Sequence, residues 1–179
     1  MNPNNVQRTK QVHRVVINAP IEKVWETLTK TDAVLPFFFC SVLKTTKLEV
    51  GAPVRMRSPD GKLTGVVGEV TEFDPPHCFA HTFKFTNYDD PLCLVRYELK
   101  SIEGGTEFTL TSENVPVGTK TEKQMGSGGK MIADALKVYV ESGKPSFVSR
   151  MIGIVNFLTG PLAPKKCRSE HWPLDKKIS

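Results

Sequence analysis

The stretch GEVTEFDPPHCFAHTF, residues 68–83, decides how the rest of the chain is read. After the double proline at 75–76, Phe79, His81 and Phe83 recur at every second position, the period of a β-strand, so their side chains share one face. A titratable ring then sits between two phenyl rings. Three roles for His81 stay open: a buried structural histidine hydrogen-bonded to Tyr97 or a carboxylate, a polar contact to a ligand, or a general acid or base. The last needs a partner to set the tautomer, and of the nearest acidic residues, Glu69 and Glu72, at least one faces the other side.

Upstream, QVHRVVINAP alternates Val12, Val15 and Ile17 and meets Ala-Pro, which reads as a strand feeding a helix with Pro20 at its start. Ile21, Val24, Trp25 and Leu28 follow at helical spacing. In DAVLPFFFCSVL a second short helix is expected to end near Pro36. Three consecutive phenylalanines, Phe37 to Phe39, cannot all face one core, so at least one belongs at a mouth or an edge.

Beyond Gly51 the period becomes two. PVRMRSPDGKLTGVVGEVTEF forms two strands around the turn Ser58–Gly61, and CFAHTFKF, LCLVRYELK and TEFTLTSE add three more. After a loop, NVPVGTKTEKQMGSGG, the residues Ile132, Ala135, Leu136, Tyr139 and Val140 make an apolar helical stripe that Gly143 and Pro145 terminate. The order predicts an α+β domain over residues 1–145 whose antiparallel sheet has one helix-covered face, with residues 146–179 as an extension.

The segments VVINAPIEKVWETLT, SPDGKLTG, GEVTEFDPPHCFAHTF, GGTEFTLT and GSGGKMIADALKVYVESG occur in the order seen in the SRPBCC superfamily, the START/Bet v 1-like or helix-grip fold. The chain most resembles the branch of the activator of Hsp90 ATPase C-terminal domain and polyketide-cyclase-like proteins, over about residues 10–145. It departs at Lys130, where members of that branch often have Trp.

The resemblance implies a curved sheet of six or seven strands, two short helices after the first strand, and a cavity between the sheet and a long C-terminal helix. Such cavities take hydrophobic or amphipathic small molecules that are lipid-like, aromatic or polyketide-like. The side chains placed toward that cavity are Phe37, Phe38, Met56, Phe79, His81, Phe83, Val95, Tyr97, Phe108, Met125, Ile132 and Leu136. The leading expectation is a non-enzymatic binding module. A cyclase or aromatase using His81 and Tyr97 for proton transfer is the first alternative, and a domain acting on an Hsp90-type chaperone the second.

No nucleophile motif, phosphate loop or metal-ligand spacing is present, and no cofactor is expected; GSGG at 126–129 lacks the Lys-Ser/Thr of a phosphate loop and reads as glycines allowing close approach where the long helix begins. His13, His77 and His171 read as isolated and solvent-facing. The four cysteines read as reduced thiols, with Cys78 and Cys93 the one pair close enough to consider. The N-terminus lacks a secretory pattern and no apolar run is long enough to span a bilayer, which makes the cytoplasm the expected address.

Net charge is +5, and all of it lies in residues 143–179, which hold seven basic and two acidic side chains. The neutral remainder argues against a nucleic-acid-binding face on the main domain. In the extension, Phe147, Met151, Ile154, Val155 and Leu158 stand at helical spacing. Residues 147–168 read as an extra helix packed on the domain or on a second copy in a homodimer, or as an interfacial helix on a membrane surface.

Overall fold

Residues 7–178 are described by the structure, a computed structural model. Strand β1 (Arg8–Ile17) runs into helix α1 (Ile21–Leu28), which buries Ile21, Val24, Trp25 and Leu28 as their spacing requires. The expected second short helix does not form. Residues 34–35 instead make a two-residue strand, β2 (Val34–Leu35), followed by a turn through Pro36–Cys40 and strand β3 (Ser41–Lys44). Pro36 lacks an N–H donor, and Phe39 and Cys40 both take left-handed backbone angles (φ 55° and 59°) that no right-handed helix accommodates.

Strands β4 (Pro53–Arg57), β5 (Thr64–Asp74), β6 (Cys78–Phe85), β7 (Cys93–Ile102) and β8 (Gly105–Pro116) form an antiparallel meander, and β1 closes on β8. The sheet has eight strands in the order β1-β8-β7-β6-β5-β4-β3-β2, one or two more than expected because β2 and β3 are too short to carry a period. Register shifts at Thr9/Gln11, Met56/Arg57 and Val70/Glu72 add local twist that curls the sheet.

Helix α2 (Lys120–Ser142) fills the curl. It begins ten residues before the expected start. Thr119 caps it, accepting from the Glu122 amide at 3.1 Å, while the Glu122 carboxylate accepts from the Gly118 amide at 2.7 Å. Gly126, Gly128 and Gly129 therefore lie inside the helix, where each costs about 1 kcal/mol relative to Ala. One of them is needed for proximity: the His13 ring occupies the space a Gly129 Cβ would take, whereas at Gly128 the Phe39 ring lies at ordinary contact distance, 3.4 Å. His13 is consequently half-buried, not solvent-facing as expected. Gly143 (φ 70°) ends α2.

Helix α3 (Phe147–Thr159) and 3₁₀ turns at Gly160–Leu162, Lys165–Cys167 and Ser169–His171 complete the chain. Residues 165–176 cover the outer face of β4 and β5. There Arg55, fully buried, donates to the carbonyls of Val54 (3.0 Å), Gly68 (3.1 Å), Pro173 (3.2 Å) and Lys176 (2.6 Å). Arg57 donates to Trp172 O at 3.0 Å, and Leu63 forms a β-bridge with Arg168.

Candidate functional site

The concave face is set by strand alternation. On β6, Phe79, His81 and Phe83 point inward as their spacing requires, with ring centroids 5.3 and 6.3 Å apart in succession. Tyr97 of β7 stacks against Phe79 (5.7 Å) and Phe108 of β8 (6.3 Å). Between this face and α2 lies a cavity of about 90 Å³ with a predominantly apolar wall.

Nine of the twelve side chains expected to face the cavity line it: Phe38, Met56, Phe79, His81, Phe83, Val95, Tyr97, Met125 and Ile132. The other three, Phe37, Phe108 and Leu136, do not line it and are buried in the hydrophobic core. Phe39, from the run expected to place a ring at a mouth or an edge, also lines the cavity, as do Ser41, Leu43, Val66, Phe85, Ser112 and Gln124, whose sequence context does not mark them. Phe39 and Ser41 sit beside the irregular turn, and Ser112 is a small polar residue on a strand face whose apolar members carry the periodic signal.

The environment of His81 is specific. Its Nδ1 stands 2.7 Å from the backbone carbonyl of Thr82. A carbonyl only accepts, so Nδ1 carries the proton and Nε2 is a bare acceptor, 3.5 Å from the Tyr97 hydroxyl. Gly68 on the adjacent strand makes room for this arrangement, because a Cβ there would collide with the Thr82 carbonyl and lie 3.2 Å from Nδ1. Burial lowers the His81 pKa to about 4, against a smaller opposing effect of the Thr82 hydrogen bond, and burial raises the Tyr97 phenol above its ordinary value. Both rings are neutral near pH 7.

Among the described residues no carboxylate reaches His81. Glu72 lies on the outer face, paired with Arg96 at 2.6 Å, and Glu69 is exposed. The same outer face carries a hollow of about 330 Å³ lined by Arg14, Glu72, Arg96, Glu98, Lys100 and Glu107 among others, a mixed-charge surface in which Glu72–Arg96 and Arg14–Glu107 pair. The four cysteines are free thiols. Cys93 contacts Met125 Sδ at 3.4 Å in the core, whereas Cys78 contacts Arg96 on the outer face, so the two cannot bridge. No group of three or more His, Cys, Asp or Glu side chains among the described residues is placed to hold a metal ion.

An antiparallel sheet curled around one long helix, with an apolar cavity between them, is the helix-grip architecture of the SRPBCC superfamily. Residues 18–141 match the model of the family described as Activator of Hsp90 ATPase homolog 1-like protein, and the chain belongs to that family. Among solved structures it is similar to the Aha1 dimer from Colwellia psychrerythraea, with a TM-score of 0.61 and 20% identity over 76% of this chain and 98% of that one. It is also similar to DynU16 of the dynemicin biosynthetic locus (TM-score 0.60, 24% identity, 76% of this chain and 48% of that one). A third similar structure is CalU16 from Micromonospora echinospora (TM-score 0.58, 18% identity, 82% and 84%). No curated protein matches the chain.

Proposed function

We propose that the protein holds a hydrophobic or amphipathic small molecule in the cavity between β6–β8 and α2 without transforming it, with the cytoplasm as its place of action. The observation that carries this reading is the pairing of an apolar wall with one built-in polar acceptor, His81 Nε2, beside the Tyr97 hydroxyl. A ligand's hydroxyl or acid proton would meet the acceptor, and its apolar part the surrounding rings and Met56, Met125 and Ile132.

Magnitudes constrain the occupant. A cavity of about 90 Å³ is smaller than the roughly 150 Å³ that accommodates benzene in an engineered core. Burying about 200 Å² of apolar ligand surface would yield roughly 5 kcal/mol before the costs of association. Tight binding therefore requires a larger ligand and an outward adjustment of the cavity wall.

Binding is favoured over cyclase or aromatase chemistry because His81 lacks a carboxylate to stabilise its charged form and is a weak base at neutral pH. Family membership motivates a second reading, contact with an Hsp90-type chaperone, and the dimeric Aha1 relative motivates a homodimer. Thermal melting with a panel of fatty acids and aromatic alcohols tests the main reading: a ligand-dependent rise supports it, and no shift with any compound removes it. Pull-down with purified chaperone and light scattering on the purified protein test the other two.

A further inference from the structure

The amphipathic order of α3 is inverted. The side that meets the domain is small and polar apart from the half-buried Ile152: Ser149 O accepts from Cys40 Sγ at 3.4 Å, Gly153 packs against that same sulfur, and Asn156 donates to Phe39 O at 3.0 Å. The side that faces away carries Phe147, Val148, Met151, Ile154, Val155 and Leu158, all exposed, with Phe147 at 75% and Leu158 at 67%. Leu162, 84% exposed, extends the patch past the end of the helix. A helix packed for the stability of the domain alone would bury this stripe.

The charge around the patch identifies its partner. Residues 143–169 contain no acidic residue and five basic ones, of which Lys166 pairs with Asp89 and Arg168 with Glu170, while Lys144, Arg150 and Lys165 are in no ion pair among the described residues. A second copy meeting this patch across a twofold axis would bring the two basic sets together. An anionic lipid surface satisfies both features, taking the apolar stripe into the acyl boundary and the cations among the headgroups. No helix among the described residues is long and apolar enough to cross a membrane, so contact is with one leaflet.

From this inverted face we infer that α3 docks the protein on an anionic membrane surface. The docked side of α3 grips Phe39 and Cys40, and the Phe39 ring lies against Gly128 in the cavity wall, so the membrane-facing helix is attached to a segment of that wall. The inference goes beyond ligand retention, and its test reads docking alone.

The test is flotation of the full chain with vesicles of phosphatidylcholine alone or with 30 mol% phosphatidylglycerol. Expected is binding to the anionic vesicles that weakens in 0.5 M salt and is several-fold lower on the neutral ones. Ile154→Glu with Leu158→Glu should cut binding about tenfold or more at an unchanged melting temperature. Arg150→Gln with Lys165→Gln should cut it about fivefold for each charge removed. The inference is overturned if the unmodified protein stays with the soluble fraction in the presence of anionic vesicles, or if the double glutamate variant, still folded, binds them as well. It is equally overturned if the protein is a dimer that those glutamates convert to monomer, since a second copy would then occupy the patch. None of these outcomes bears on the melting test of the cavity.

Discussion

His81 donates from Nδ1 to the backbone carbonyl of Thr82, its neighbour on the same strand, at 2.7 Å, and this contact leaves Nε2 as the acceptor beside Tyr97. Nitrogen-15 NMR of the imidazole should report a neutral Nδ1–H tautomer at pH 7. An Nε2–H tautomer would contradict the hydrogen-bond assignment.

The same burial sets a pH dependence. The His81 pKa is about 4 in the folded state against an ordinary 6.5, so the unfolded chain takes up the proton first as pH falls. The stability linked to His81 is complete above about pH 6.5 and declines by roughly 3 kcal/mol in total down to about pH 4. His13, also lowered by burial and by Lys130, acts in the same direction. Urea unfolding between pH 7 and 4 should show a shallower loss for His81→Phe than for the unmodified protein, and parallel losses would argue against the assignment.

Gly68 is where β5 approaches the Thr82 carbonyl too closely for any side chain. Gly68→Ala should cost about 2 kcal/mol or more and displace the His81 ring, visible as a lowered denaturant midpoint and an altered His81 signal. A stability within about 0.5 kcal/mol of the original would mean that the strand relaxes freely there.

Arg55 holds the C-terminal segment by its backbone. With only carbonyl acceptors and no carboxylate, and with burial and Arg57 both lowering its pKa, the guanidinium is a clamp and not an ion pair. Arg55→Leu should release residues 165–178, accelerate tryptic cleavage at Lys165 and Lys166, and cost about 3 kcal/mol. Arg55→Lys should rescue little, because an ammonium cannot span four carbonyls on three segments. Unchanged proteolysis in both variants would show that the segment is held by other contacts.

Ile132 projects from α2 into the cavity. Ile132→Trp should occupy the space, keeping or raising the melting temperature while abolishing any ligand-dependent rise. A rise that persists in the variant would locate binding elsewhere.

The fold was legible where one face of an element is apolar throughout. Phe79, His81 and Phe83 on β6, and Cys93, Val95, Tyr97 and Leu99 on β7, alternate without interruption, and their inward direction follows directly. The beginning of α2 was not legible, because Gly126, Gly128 and Gly129 have the composition of a loop, and the one close approach that calls for a glycine, the His13 ring at Gly129, comes from a distant element. Phe108 and Leu136 have the right period but not the depth of the cavity wall, since a period gives a side chain's direction and not what stands in front of it, and Phe37 lies in a turn that has no period. The burial of Arg55 carries no local sequence signal, since it depends on carbonyls more than a hundred positions away.

The central claim, occupancy of the cavity by a small molecule, is tested most directly by methyl NMR of Met125 and Ile132 during titration with octanoate and 1-naphthol. Expected are saturable shifts at both methyl groups, intermolecular contacts from the ligand to them, and loss of these effects in Ile132→Trp. Unchanged methyl signals up to millimolar ligand, with no rise in melting temperature, would contradict it.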